Sequence, residues 1–408
     1  MRRSVLAVVG LVFLLCLLAA LGSARAAGAT YTVNTTSYTN DGSCDALTGT
    51  TDCTLWEAIL AAEVEPLIDT VAFNIPITDT NYSYNTAGVW TIVPTETLPS
   101  LYQTIVDGTT QATNVLSDTN PYGPEIEISG EGQLSGSYCW IIGSDNTIKG
   151  LAINRCQQYG LGVTGDDNTI IGNYMGTDAT GSVDVSPTSD GIVLAMDAKN
   201  NVIGGDSSGE RNIISAMGGG IRVSSAGSTG NVIEGNYIGT DRTGTMALGN
   251  GTGIKIHNGA HDNTIGPNNV IAYNSGDGVQ VDGSNTDGNT ITHNSIHSNG
   301  DLGIDLTNGG NDLFPAPVIS VNIRTSASGT APNNATVELF TGPDEEGKTY
   351  LTTVSADGSG NWSASGFLAD DTYLTATATD AAGNTSEFST AVAGLDRRAY
   401  APLVMNNH

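Results

Sequence analysis

The stretch Asn231-Val232-Ile233-Glu234-Gly235-Asn236-Tyr237-Ile238-Gly239-Thr240-Asp241 decides how this chain folds. Its opening triplet, Asn followed by Thr or Val and then Ile, recurs at Asn146-Thr147-Ile148, Asn168-Thr169-Ile170, Asn201-Val202-Ile203, Asn263-Thr264-Ile265 and Asn289-Thr290-Ile291. A second phrase alternates with it at Gly191-Ile192, Gly220-Ile221, Gly253-Ile254, Gly278-Val279 and Gly303-Ile304, with a looser copy at Gly160-Leu161. Copies of the triplet lie 22 to 33 residues apart, which suits one coil of a β-solenoid with corner loops of variable length.

Each phrase alternates apolar and polar residues over four or five positions, too few for an amphipathic helix. Period two sends Ile254 and Ile256 inward and Lys255 outward. One coil cannot bury its apolar face, whereas stacked coils can. Asn at a corner tolerates left-handed backbone and can hydrogen-bond to its copy on the next coil. A β-propeller would need four strands per unit and a longer period.

Several phrases resemble a known family. Asn231 to Asp241 and Arg211-Asn212-Ile213-Ile214-Ser215 are similar to bacterial right-handed parallel β-helix proteins of the pectate-lyase-like superfamily. Upstream, Tyr31 to Thr35, Asp41 to Cys44 and Cys53-Thr54-Leu55-Trp56-Glu57-Ala58 resemble the CSLREA domain, with Trp56 where the namesake motif has Arg. Asp69 to Pro76 and Val106 to Gln111 match its usual sequel. The resemblance implies an all-β chain, a right-handed parallel β-helix with an N-terminal cap. Beyond Phe314-Pro315-Ala316-Pro317, Val337 to Phe340, Trp362 to Ala364 and Tyr373 to Ala378 read as strands of a C-terminal β-sandwich, and this stretch resembles a bacterial Ig-like module. Thr54 and Glu57 read as a capping box opening a helix to about Ala62, whose Leu55, Ile59 and Ala62 form the apolar face of a plug.

The expected organisation is a signal peptide over 1–26, the cap and first strands over 27–100 and β-helix repeats over 101–313. An Ig-like sandwich over 314–393 and a tail over 394–408 follow. Arg2 and Arg3 precede an apolar run ending in Ala24-Arg25-Ala26, so a secreted or cell-surface location is expected, without membrane insertion after cleavage. The formal charge of −28, with 42 acidic against 14 basic residues, argues against nucleic acid and anionic lipid as partners. It suits a cation such as Ca²⁺, although no residue set is assigned to a metal. In an oxidising compartment Cys44 pairs with Cys53, and Cys139 with Cys156 forms a second pair.

Aligned Gly-Ile phrases place Val193, Arg222, Lys255, Gln280 and Asp305 in one outward column. Ala195, Ser224, His257, Asp282 and Thr307 form a second, two residues on. Arg222, Lys255, His257, Asp282 and Asp305 are therefore the candidate catalytic residues. A Lys or Arg can take a proton from a uronic-acid sugar while Ca²⁺ on carboxylates steadies the enolate, and His257 beside Asp282 could act as an oriented base. Mixed charge is equally the ordinary condition of a solvated sheet. Two near-identical insertions, Asn173 to Asp178 and Asn236 to Asp241, each run into a Thr-Gly pair and carry Tyr174 and Tyr237 as candidate glycan platforms.

Other motifs point to corners. Asn285-Thr286-Asp287-Gly288 matches a phrase of polygalacturonase-like hydrolases without the rest of their set. Gly309-Gly310-Asn311-Asp312 is a solitary copy of a Ca²⁺-binding repeat, and His293 and His297 share no helical face. The expected role is a non-enzymatic extracellular protein for adhesion, glycan binding or surface structure. The alternative is a polysaccharide-acting enzyme, a lyase ahead of a hydrolase.

Overall fold

The computed structural model describes residues 28–42, 44, 52–63, 67–83, 88–114, 118–134, 136–186, 190–323, 325–366 and 373–393. The expected signal peptide and the C-terminal tail lie outside them. Within residues 30–307 three sheets stack strand on strand in parallel, the first from Thr30, the second from Val89 with the antiparallel strand Tyr82–Ser83 at its edge, and the third from Tyr138, and they define a parallel β-helix.

The first sheet begins with Thr30–Val33, Asp69–Phe73 and Thr104–Asp107, then continues through the six Asn-Thr/Val-Ile triplets, from Thr147–Lys149 to Thr290–Ile291. Register is conserved from coil to coil, so Ile148, Ile170, Ile203, Ile233, Ile265 and Ile291 form one inward stack. The second sheet stacks Ile153, Met175, Ile214, Ile238, Ile271 and Ile296 in the same way. The third sheet comprises Tyr138–Ile142, Tyr159–Val163, Asp190–Leu194, Gly219–Ser224, Thr252–His257, Val279–Asp282 and Ile304–Thr307. It sends two apolar columns inward, one through Ile221 and Ile254 and one through Val223 and Ile256.

The corners explain why the strands are so short. The residue before each ladder asparagine has positive φ: Asp145, Asp167, Asn200, Gly230, Asp262 and Gly288. These are the residue types that enter the left-handed region at least cost. The turned chain then aims each asparagine into the interior, where Asn146, Asn168, Asn201, Asn231 and Asn263 each donate from Nδ2 to the Oδ1 of the next rung, the last of these to Asn289. Asn289 passes its backbone N–H to Asn311 Oδ1, so the solitary Gly309-Gly310-Asn311-Asp312 phrase supplies the final rung. A second ladder runs through Asn173, Asn212, Asn236, Asn269 and Asn294, and a third through Asn250, Asn274 and Asn299. Buried backbone groups at three corners are thereby satisfied.

At the N-terminal end, Leu55–Ala62 is a helix whose capping box is complete: Glu57 N–H donates to Thr54 Oγ1, and Thr54 N–H to the Glu57 carboxylate. Leu55, Ile59 and Ala62 are buried in the solenoid core, while Trp56 meets Tyr38 edge-on at 5.3 Å. Parallel pairing has already begun at Thr30. Both disulfides are present, Cys44–Cys53 within this segment and Cys139–Cys156 across the corner between the second and third sheets.

Beyond Leu313 the chain forms two antiparallel sheets, of three and four strands, around Val337, Leu339, Trp362 and Leu374. These sheets sit on the last coil and satisfy its open edge. Ile291 N–H donates to Thr385 Oγ1, His293 N–H to Glu338, Ile296 N–H to the Gly347 carbonyl, Ser298 N–H to Asp344 and Leu306 N–H to Glu387. Phe388 packs against the solenoid core. An unpaired parallel edge invites aggregation, and here a row of carboxylates and hydroxyls covers it.

Candidate functional site

The outward face of the third sheet carries the charged strip. Arg222 pairs in register with Lys255, Lys255 with Gln280 and Gln280 with Asp305; in the neighbouring column Ser224 pairs with His257, His257 with Asp282 and Asp282 with Thr307. Five of the candidate residues thus share one face, each half-buried as period two dictates.

Most of these side chains already have partners. Arg222 is salt-bridged to Asp190, whose carboxyl is pushed up by burial and pulled back by the guanidinium. Lys255 Nζ lies 3.5 Å from Asp282 Oδ2, and Asn308 donates to Asp282 Oδ1 at 2.7 Å. The Asn308 amide and then Lys255 hold Asp282 below the usual carboxylate range. Gln280 Nε2 bridges Asp277 and Asp305 at 2.9 and 3.0 Å. His257 has a side-chain hydrogen bond with Asn258, but its Nε2 is buried without a partner. Burial, then the positive charges of Lys255 and Arg222, lower its pKa against the pull of Asp282, so the imidazole is neutral at neutral pH.

Tyr138 and Tyr159 extend this strip, and the sequence reading missed them. They occupy one register position on adjacent strands, with ring centroids 4.6 Å apart. The Arg222 guanidinium lies 5.7 Å from the Tyr159 ring and 3.5 Å from its hydroxyl. Asp190 takes the next place in the same column. That column continues into Gly219 and Thr252, whereas Arg222 follows Val193 in the column three residues on; the two columns together cross seven strands, over six steps of about 4.8 Å, or roughly 29 Å.

Tyr174 and Tyr237 lie elsewhere, on the outer side of the second sheet, in register with Ile213 between them. The two insertions stack, Arg242 N–H donating to the Gly181 carbonyl. In each, an aspartate ties the loop together: Asp178 accepts from Thr180, Ser182 and Val183, and Asp241 from Thr243, Thr245 and Met246. The loop then folds back over its own tyrosine. Gly181 and Gly244 have positive φ, and a Cβ on either would stand 2.7 Å from the ring beneath. Arg211 covers a face of Tyr237 at 4.1 Å, and the Tyr174 hydroxyl donates to the Tyr122 carbonyl at 2.7 Å. These rings hold corner loops in place and are only partly open to a ligand. His293 and His297 are drawn into the docking of the C-terminal module, His293 against Glu338 and Tyr350.

A seven-stranded polar face on a disulfide-bonded parallel β-helix is the class of architecture defined here. No protein-family model matches the chain, and no curated protein matches it. Among solved structures it is similar to full-length tailspike protein 2 from Escherichia coli O157:H7 bacteriophage CAB120, at 12% identity and a TM-score of 0.27, over 81% of this chain and 58% of that one. It is also similar to pectate lyase Pel9A, at 16% identity and a TM-score of 0.29, over 71% of this chain and 79% of that one. The chain therefore spans 58% of the tailspike's own length. The fold assignment rests on the strand register of the three sheets.

Proposed function

We propose that this is an exported, surface-exposed β-helix protein that holds an extracellular polysaccharide along the outward face of its third sheet without cleaving it. The observation that carries this reading is a pair of register columns, Tyr138, Tyr159 and Asp190 in one and Arg222, Lys255, Gln280 and Asp305 in the other, joined where Arg222 reaches Asp190 and the Tyr159 hydroxyl. A linear polymer presents hydroxyls and ring faces along its length, and these two columns offer aromatic surfaces and hydrogen-bonding groups across seven strands. The ion pairs fix the geometry of Arg222 and Lys255 in advance, which lowers the ordering cost of binding. Two disulfides agree with an oxidising compartment. In the same reading, residues 27–100 are a CSLREA-like cap and residues 314–393 an Ig-like module whose loops remain available for adhesion.

A second reading has one observation in its favour. The neutral His257, whose Nε2 has no hydrogen-bond partner, lies beside Lys255 and Asp282 and has the form of a general base for uronate β-elimination. The test is a screen of the purified protein against acidic and neutral polysaccharides, with and without Ca²⁺, following both binding and the ultraviolet absorbance of unsaturated uronates. Binding without product is expected. Product formation that disappears in Lys255→Ala or His257→Ala would replace the binding reading with the lyase.

A further inference from the structure

At the corner between the first and second sheets, on residues that share no position with the third-sheet strip, the surface opens into a cleft of about 390 Å³, a size typical of small-molecule sites. Its lining includes Arg211, Arg242, Tyr174, Asp118 and Glu125. Two arginines on one cleft are conspicuous in a chain with 14 basic residues against 42 acidic ones. Four of the other cations are neutralised: Lys149 by Asp107, Arg155 by Glu127, Arg222 by Asp190 and Lys255 by Asp282. Among the described residues, neither Arg211 nor Arg242 forms an ion pair.

Both are nevertheless held in place. Arg211 lies over the Tyr237 ring and donates from Nε to the Gly235 carbonyl at 3.1 Å, which leaves the far end of its guanidinium unengaged. Arg242 lies over the Tyr122 ring at 4.5 Å, and its buried Nε has no hydrogen-bond partner. The two insertions differ here in a telling way. Arg242 occupies the place that Ala179 has in the first copy, where the alanine packs with Val89, Ala152 and Tyr174. The corner loop does not itself require the arginine.

The opposite charge in the cleft is the second, independent observation. Glu125 is 5% exposed; its Oε1 accepts from Thr119 N and Oγ1 at 2.6 and 2.8 Å, whereas its Oε2 is buried with no partner. A buried carboxylate oxygen left unsatisfied is costly, and a hydroxyl donor from a ligand would satisfy it. One wall therefore offers guanidinium forks for an anion, and another an acceptor for a hydroxyl.

We propose that this cleft binds a carboxylate-bearing sugar, a uronate unit whose carboxylate meets Arg211 and Arg242 while a ring hydroxyl donates to Glu125. Arginine forks match a carboxylate in two-point contact, and Tyr174 supplies an apolar surface beside them. The site is separate from the third-sheet strip and takes one or two sugar units rather than a length of polymer.

Isothermal titration calorimetry of the full mature chain with digalacturonate and with its neutral counterpart, digalactose, tests this. The acidic disaccharide should bind and the neutral one should not. Arg242→Gln should weaken binding about tenfold or more, the loss expected for a charged hydrogen bond, and Arg211→Gln should act likewise. Arg242→Lys, which retains charge without the fork, should fall between, with melting temperatures showing that each variant is folded. Lys255→Ala should leave this binding unchanged, so failure here is distinguishable from failure of the third-sheet reading. Equal affinity for the two disaccharides, wild-type affinity in the folded Arg242→Gln variant, or no binding of digalacturonate would each overturn the proposal. So would inorganic sulfate binding as tightly as digalacturonate, because the cleft would then read charge alone.

Discussion

Replacing Asn231 by Ala tests how the solenoid is held together. In the intact ladder the Asn231 side chain takes part in four hydrogen bonds. Its Oδ1 accepts from Asn201 N and Nδ2 at 3.0 and 2.9 Å, and its Nδ2 donates to the Ala198 carbonyl and Asn263 Oδ1 at 3.0 and 2.8 Å. After truncation, Asn201 Nδ2 keeps the Gly165 carbonyl, and Asn263 Oδ1 keeps the backbone N–H of residue 231. Among the described residues, this leaves the Asn201 N–H and the Ala198 carbonyl without a partner. Orphaning a buried polar group costs about 1–3 kcal/mol, so the two together predict a loss of about 2–6 kcal/mol. The site lies mid-array, where each coil contacts only its neighbours, so the loss should also broaden the transition. Equilibrium unfolding in guanidinium chloride gives the number, with the exposed Asn333→Ala as the control. A loss below about 1 kcal/mol would show that the ladder is not a principal source of corner stability.

The docking of the C-terminal module should depend on pH through Glu346. Burial raises this carboxyl from 4.5 to about 7, Asp344 adding to the rise and the Asn299 amides opposing it. The folded protein therefore holds the proton more tightly than the unfolded chain. Stability from this group is full below the ordinary carboxylate range and falls as pH rises toward about 7, by at most about 3 kcal/mol. Thermal melts from acid to neutral pH should show that slope, and Glu346→Gln should flatten it; an unchanged slope would refute the assignment. Gly244→Ala should destabilise the second insertion by about 1 kcal/mol or more, because φ is +73° and the Tyr237 ring fills the space. Wild-type stability in that variant would mean the loop is free of its tyrosine. Replacing Cys139 and Cys156 by Ser opens a 17-residue loop and should cost about 3 kcal/mol in denaturant unfolding. An unchanged midpoint would show that the stacked coils alone fix that corner.

Much of this was legible in the sequence because a parallel in-register solenoid turns alignment of repeats into geometry. Matching the Gly-Ile phrases put Arg222 beside Lys255 and His257 beside Asp282, and those are the observed pairs. The left-handed Asp, Asn or Gly before each ladder asparagine was present in the text of the chain as well. What escaped was whatever the repeat does not encode. Tyr138 and Tyr159 stand where the third-sheet phrase is degenerate, Tyr138-Cys139-Trp140 having no Gly-Ile to align. The cover over Tyr174 and Tyr237 depends on loops that turn back, which alternation cannot reveal. The cleft between Arg211 and Glu125 joins different coils through irregular corners. The plugging of the last coil by Glu338, Asp344, Thr385 and Glu387 depends on contacts between the solenoid and a segment that shares none of its repeat.

The central claim is that the third-sheet strip holds a polysaccharide without breaking it. The most direct test is a titration of the full chain with the polysaccharide that binds best, measuring affinity and product release together in wild type, Tyr159→Ala and Lys255→Ala. The strip predicts measurable affinity in wild type, about tenfold or greater loss in each variant, and no new chain ends in any sample. Unaltered affinity in both variants, or product in wild type that Lys255→Ala abolishes, would contradict it.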